Sequence, residues 1–366
     1  MNIYSNRLKN LKKMMADKGY DSFLVLKEEN IHYLTGFSGK GSAGILFIGD
    51  RINYLLVHFI YFLEAKKSIS MDADVLEYRT DKFKNLPALL EESAGNIGIE
   101  DDVSYRDFQK IEDYAQNRGK KVTPESGMVE SLRAVKGPEE LEKINKACDI
   151  ADKVVHWIAG EDTDFFLSRT EAELALDIER KILEFGGDGT PFDMVIANRQ
   201  NSSLPHYRPS NRKIRPGPLL IDFGVLYKNY CCDITRTFFV GLQNYGKLKK
   251  IYDIVLEAQD KAIQACREDI CSKELDSVAR KVIEDEGFGR NYGHGLGHGV
   301  GLQIHEAPVI GLSSDEVLKS GMVVTIEPGI YLDELGGVRI EDMVLVKKNS
   351  CQVLFSAPKD FMIIKG

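Results

Sequence analysis

Four acidic residues of this 366-residue chain lie inside strongly apolar runs: Asp222 in "GPLLIDFGVLY", Asp233 in "YCCDITRTFFVG", Glu327 in "GMVVTIEPGIYL" and Glu341 in "GGVRIEDMVLV". Any one of them alone reads as an edge-strand or salt-bridged carboxylate. Four converging acids need neutralising, because an unpaired buried carboxylate is strongly destabilising, and Arg236 and Arg339 are too few to do it. Two divalent cations would balance the set. A carboxylate-dominated site with one imidazole suits manganese, cobalt, iron or zinc in a reactive role better than a structural zinc.

The imidazole is supplied by "NYGHGLGHGVGLQIHE" (291–306), which holds His294, His298 and His305, three of the seven histidines. His294 and His298 have the spacing of one helix face. Yet Gly293, Gly295, Gly297, Gly299 and Gly301 disfavour a helix by about 1 kcal/mol each relative to alanine. No glutamate follows His294, so the helical HExxH zinc-protease pattern is excluded. The segment is expected to be extended, with its backbone close to the metals, one histidine a ligand and its neighbours in the substrate cleft.

Strands must position the acids. A two-residue turn at Lys228-Asn229 would pair Tyr227 with Tyr230 and set Asp222 opposite Thr235. Asp233 would then share the Asp222 face, diagonally offset by about 7–8 Å; an odd-length turn would put the two acids on opposite faces. Alternation places Arg339 on the Glu341 face and Asp342 on the other.

Around these strands the chain has a repeated order. Pro138 opens a helix pattern running to about 159. Thr170 to Glu173 form a capping box for a second helix, which Gly186 and Gly187 end. A strand pair follows. Helix patterns at about 246–266 and 274–286, the glycine-histidine segment and another strand pair repeat that order, so the C-terminal part is expected to be two half-domains sharing a sheet, with their carboxylates meeting at the seam. Residues 1 to about 125 read differently, as a small α/β domain. They carry a helix on Leu8, Leu11, Met14 and Met15 closed by Gly19, strand-like runs at 22–26, 43–49, 53–59 and 97–100, and a helix pattern at 104–117. "GFSGKGSAG" (36–44) reads as a turn, since Lys40 is followed by Gly41 and the upstream glycine spacing of a phosphate loop is absent.

Bulk properties narrow the partners. A net charge of −8 argues against nucleic acid, and Lys12-Lys13 and Lys247 to Lys250 read as solvated helix faces. No apolar run reaches the roughly 18 residues of a membrane span, and "MNIYSNRLKNLKKMM" has no secretory signal pattern. Six cysteines without a CxxC pair read as reduced thiols in the cytoplasm.

Five stretches in order, "IDFG" (221–224), "DITRT" (233–237), "GHGLGHGVGLQIHE" (293–306), "TIEPGIY" (325–331) and "VRIED" (338–342), make residues from about 130 onward resemble the pita-bread metallopeptidase family, which includes methionine aminopeptidase, aminopeptidase P and prolidase. "NSSLPHYRPS" (201–210) resembles the family segment that carries a substrate-side histidine. The N-terminal "YSNRLKNL" and "NIHYLTGFSG" resemble the domain found in aminopeptidase P, prolidase and creatinase. One departure is "HFIY" (58–61), where many relatives read Asp-x-Arg-Tyr.

The resemblance implies a creatinase-like α/β domain over 1–125 and an α+β pita-bread domain over 126–366 with an internal pseudo-two-fold arrangement. It implies two divalent metal ions, manganese or cobalt before zinc or iron, about 3.5–4 Å apart. Asp233 and Glu341 would bridge them, Asp222 would hold one, and His298 with Glu327 the other. Glu327 would be the general base. His206, His294 and His305 would line the cleft, with His206 or His305 assisting the tetrahedral intermediate or the leaving nitrogen, and Arg339 would hold the carboxylates in place. The implied activity is hydrolysis of the Xaa-Pro bond of small peptides, as a prolidase first and as an aminopeptidase P in the alternative. Val309 and Ser313 stand where some relatives carry an arginine for the substrate carboxylate. A metal-free amidinohydrolase or a non-catalytic binding protein on the same fold is the reading of another class, which metal analysis separates. The implied assembly is a homodimer in which the N-terminal domain of one subunit reaches the other's cleft.

Overall fold

The structure is a computed structural model that describes residues 2–39, 44–241 and 245–365. The turn read at 36–44 lies outside the described residues at 40–43. The chain forms two compact units, Met1–Arg133 and Ala134–Gly366. The pattern change read at 125/126 precedes that boundary. Glu130 and Arg133 both hydrogen-bond Asn30, each at 2.7 Å, which ties the segment after 125 to the first unit.

The first unit is built on a six-stranded mixed sheet. Its inner strands are Asn53–His58, Ile45–Ile48, Ser22–Val25 and Asn96–Glu100, the four apolar runs seen in the sequence. Its edges, Asp74–Tyr78 and Lys121–Glu125, have no apolar signature because an edge strand leaves many side chains in water. Helix Ile3–Lys18 buries Leu11 and Met15 and ends at Gly19, whose φ of 74° is the left-handed cap that glycine adopts without strain.

The second unit contains the repeated order. Helices Pro138–Gly160 and Glu171–Glu184 precede a four-stranded sheet ordered Met362–Ile364, Ile234–Val240, Gly217–Phe223, Val195–Asn198. Helices Gly246–Ala265 and Ser272–Asp285 precede a five-stranded sheet ordered Glu306–Ile310, Gly297–Gly299, Val323–Ile326, Asp342–Val346, Cys351–Val353. Ile144, Val154 and Ile178 of the first helix pair pack with Leu219, Ile221 and Phe238, while Ile251, Val255 and Ile283 of the second pack with Val324, Ile326 and Val344. The two sheets meet where the Glu341 N–H donates to the Thr235 carbonyl at 3.1 Å.

The decisive register is the one the two-residue turn requires. Lys228 and Asn229 have φ of 47° and 68°, the left-handed pair of a type I′ hairpin turn. Tyr227 therefore pairs with Tyr230, and Asp222 with Thr235. Both Asp222 and Asp233 open into one cavity.

Candidate metal centre

Each donor comes from a strand or a strand end. Asp222 is in Gly217–Phe223, and Asp233 directly precedes Ile234–Val240. Glu327 follows Val323–Ile326, and Glu341 sits between Gly336–Arg339 and Asp342–Val346. His298 is the middle residue of Gly297–Gly299, a short strand paired on both sides. A Cβ at Gly297 would lie 2.1 Å from the Thr325 carbonyl oxygen, and one at Gly299 2.2 Å from that of Ala307. The alternating glycines thus let the backbone press between two strands while His298 emerges into the site. A register shift at His298/Gly299 marks a bulge, a device that re-aims a side chain.

Donor atoms of Asp233, His298 and Glu341 all lie within 4.8 Å of one another. His298 Nε2 is 3.4 Å from Glu327 Oε1 and 3.7 Å from Asp233 Oδ2. His298 Nδ1 is 3.1 Å from the Gly299 carbonyl, which can only accept, so Nδ1 carries a proton and Nε2 is the nitrogen turned to the acids. Burial opposes a second proton there, but the Glu327 hydrogen bond raises the ring's pKa, and a cation would take that proton's place. Three buried carboxylate oxygens have no hydrogen-bond partner: Asp222 Oδ1, Asp233 Oδ1 and Glu341 Oε1. Native proteins rarely leave such atoms unsatisfied unless an ion or water belongs there.

Positive charge from the protein is scarce. Arg236 points to the other face, pairing Asp342 at 2.7 Å and donating to the Glu341 carbonyl at 2.6 Å. Among the described residues, Arg339 is the arginine paired with one of the acids, 2.5 Å from Asp222 Oδ2. Burial first, then the neighbouring acids, pushes Asp233 and Glu341 well above the usual carboxylate range. Burial also raises Asp222, with Arg339 opposing. Glu327 goes the other way: burial would raise it, but the His298 hydrogen bond and nearby cationic groups hold it at about 2. The protein alone cannot keep all four acids ionised, and one imidazole with four carboxylates forms a donor set fit for divalent cations.

Supporting side chains fix the donors. Thr235 Oγ1 donates to Glu341 Oε2 at 2.6 Å and accepts from Arg339 Nε at 3.1 Å. Thr325 Oγ1 accepts from the His298 N–H at 3.0 Å and donates to Glu327 Oε1 at 3.2 Å. Arg339 Nη1 donates to the Tyr331 hydroxyl at 2.8 Å, which lies 2.9 Å from His294 Nε2. His294 Nδ1 is 2.8 Å from the Gly295 carbonyl, so both ring nitrogens are engaged within the protein. From helix Ser272–Asp285, Asp276 accepts the Leu296 N–H at 2.9 Å and Arg280 donates to the His294 carbonyl at 2.8 Å.

The donors open into a cavity of about 670 Å³, which His206, His294 and His305 also line. His206 and His305 are exposed; the His305 ring lies 4.3 Å from that of His298. The His206 segment is clamped by Glu171, whose Oε1 accepts from the Asn198 N–H at 3.0 Å and Asn201 Nδ2 at 2.7 Å. Its Oε2 accepts from the hydroxyls of Tyr207 and Ser210, both at 2.8 Å. Every site residue read from the sequence borders this cavity. The roles of Glu171, Thr325, Tyr331 and Asp276 are not apparent in the sequence, although Thr325 and Tyr331 lie in the "TIEPGIY" motif; Thr235 is placed opposite Asp222 by the hairpin.

Residues 142–348 match Metallopeptidase family M24, and residues 7–135 match the Creatinase/Prolidase N-terminal domain. A Xaa-Pro dipeptidase of Pyrococcus furiosus is 38% identical over 97% of this chain and 99% of its own. The structure of a Xaa-Pro dipeptidase from Bacillus anthracis superposes with a TM-score of 0.89 at 32% identity, covering 98% of this chain and 99% of that one. An X-Pro aminopeptidase from Thermotoga maritima gives 0.85 at 32% identity, over 98% and 99%. Motif order, fold and near-full-length identity agree, and the chain belongs to metallopeptidase family M24.

Proposed function

We propose that this peptidase is a Xaa-Pro dipeptidase with two divalent cations per chain, held by Asp222, Asp233, His298, Glu327 and Glu341, with Asp233 and Glu341 shared between them. The observation that carries the reading is the trio of unpartnered buried carboxylate oxygens, from Asp222, Asp233 and Glu341, in the cavity that His298 also lines. The names of the Pyrococcus and Bacillus relatives support the substrate class. Manganese or cobalt is preferred, with zinc or iron able to fit the same donors.

Cations bound there supply Lewis acidity and let a water ionise near neutral pH. The chain's own residues do the rest. Glu327, oriented by the Thr325 hydroxyl that donates to its Oε1, is the carboxylate placed to take the water's proton. The Xaa-Pro bond is a tertiary amide, so its nitrogen leaves only when protonated, and the exposed His206 and His305 are the imidazoles free to deliver that proton. His294, with both nitrogens engaged, orients Tyr331 and through it Arg339. Phe192, Val195, Ile304 and Ile310 give the cavity an apolar wall for a pyrrolidine ring. We place the enzyme in the cytoplasm as a homodimer, in keeping with six cysteines outside any disulfide; light scattering giving a monomer at full activity would count against the dimer.

The test is hydrolysis of Ala-Pro and Ala-Pro-Ala by metal-free protein, with and without added Mn²⁺ or Co²⁺. Metal-dependent cleavage favouring the dipeptide, with two equivalents of metal bound, is expected. Preference for the tripeptide would make the enzyme an X-Pro aminopeptidase, and absence of metal binding would sink the reading. Glu171→Gln checks the His206 clamp. An amide would put its own donors among the groups that now donate to Glu171, at a cost of about 1–3 kcal/mol. A displaced His206 is then expected to lower kcat/KM at least about tenfold, since misplacement near 1 Å costs about a hundredfold.

A further inference from the structure

A dipeptide ending in proline carries a carboxylate beside the reacting bond, and an enzyme that prefers it must offer that charge a partner. Most charged groups at the cavity already have one. Arg339 is buried and divided among Asp222, Tyr331 and Thr235. Glu306 is paired with Lys136 at 2.9 Å, both side chains out of solvent. Positions 309 and 313 hold valine and serine.

Arg208 differs. It lines the same cavity, two residues beyond His206, in the segment that Glu171 anchors through Tyr207 and Ser210. Its side chain is 86% exposed, and its acidic neighbour Asp193, 84% exposed, is 3.8 Å away. An exposed pair at that separation is weak, and a guanidinium readily exchanges it for a two-point grip on a planar carboxylate. The anchored backbone limits where the guanidinium can reach, and puts it beside the histidine that serves the proline nitrogen.

We infer that Arg208 binds the free carboxylate of the substrate's proline and thereby selects dipeptides. The inference rests on the Xaa-Pro dipeptidase reading. Arginine at 208 then performs the task left open by Val309 and Ser313, from a different wall segment of the cleft. Asp193 holds the empty guanidinium near the cavity and gives way when the carboxylate arrives.

The experiment compares metal-loaded wild type, Arg208→Gln, Arg208→Glu and Arg208→Lys on alanyl-proline and on its neutral analogue alanyl-prolinamide. Because residue 208 is exposed, melting temperatures are expected to match within a degree or two. For Arg208→Gln, kcat/KM on alanyl-proline should fall about 10- to 100-fold, chiefly through KM, as loss of a charge-assisted hydrogen bond predicts. The preference for alanyl-proline over the amide should collapse in Arg208→Gln, invert in Arg208→Glu and persist in part in Arg208→Lys. An unchanged preference in both the Gln and Glu variants overturns the assignment, as does a wild type that cleaves both substrates equally. A metal-loaded wild type that cleaves neither substrate instead brings down the dipeptidase reading, and this inference with it.

Discussion

Asp233→Asn is expected to abolish Xaa-Pro hydrolysis while raising the melting temperature of the metal-free protein. Asp233 is buried, has one oxygen without a partner, and faces Glu341 and Asp222 across the same cavity. Without cations its negative charge is disfavoured: burial first, then Glu341, Asp222 and Glu327, drives its pKa up, and His298 stands off at 3.7 Å. Asparagine keeps the shape, removes the charge and adds a donor for the neighbouring carboxylates. Replacing buried charges by neutral groups can stabilise by about 1–4 kcal/mol, equivalent to several degrees in a domain of this size. Activity should fall by more than about 10³-fold, since a cation's share of transition-state stabilisation is several kcal/mol. Differential scanning calorimetry with and without Mn²⁺ separates the two effects. Ligand at a hundred times its Kd stabilises by about 2.7 kcal/mol, and that increment should appear in wild type and shrink in the variant. A metal-free variant melting below wild type, or one stabilised equally by metal, would contradict the account.

Arg339→Met should be the most damaging change that removes no metal donor. The guanidinium serves Asp222 Oδ2, Tyr331, Thr235 and, at 3.4 Å, the Pro205 carbonyl. Truncation strands Asp222, whose side chain is only 14% exposed, beside three other acids, and losing one partner of a buried pair costs about 3–5 kcal/mol. It also frees Tyr331, and with it His294. Loss of such support lowers metal affinity or activity by about 10- to 100-fold. Lysine should rescue poorly, because one ammonium cannot reproduce a planar fork of donors. The diagnostic is a double-mutant cycle by chemical denaturation. Asp222→Asn in the Arg339→Met background should recover much of the stability and none of the activity, with a coupling of at least about 1 kcal/mol. Additive losses would show that Arg339 acts through packing alone.

What could be read from the sequence follows the distance over which each interaction acts. The Lys228-Asn229 turn is local, and its left-handed backbone pair alone sets which residue lies opposite Asp222. The inner strands of the first unit are apolar because both faces are covered, so they stood out, while Asp74–Tyr78 and Lys121–Glu125 vanished into the polar background. The helix starting after Thr170 was visible because its capping box is a four-residue pattern, and Glu173 accepts the Thr170 N–H at 2.7 Å as that pattern requires. Its immediate neighbour Glu171 was invisible in function, since its partners Tyr207 and Ser210 lie 36 and 39 positions further along the chain. Tyr331 lies within the "TIEPGIY" motif, yet its partners Arg339 and His294 become apparent only in three dimensions. Arg208 carried no signal at all; a lone surface-type arginine becomes informative only once the other cations of the cavity are accounted for.

The division of donors between the two half-domains has a mechanical consequence. Asp222 and Asp233 come from one half; His298, Glu327 and Glu341 come from the other, and direct bonds across the seam include those from Glu341 N–H to Thr235 and from Arg236 to the Glu341 carbonyl. Ions seated among these donors would act as rivets as well as reagents. Whatever free energy they contribute on binding would also be cohesion between the halves, so loss of metal is expected to cost activity and to loosen the seam together, which protease susceptibility with and without a chelator would read.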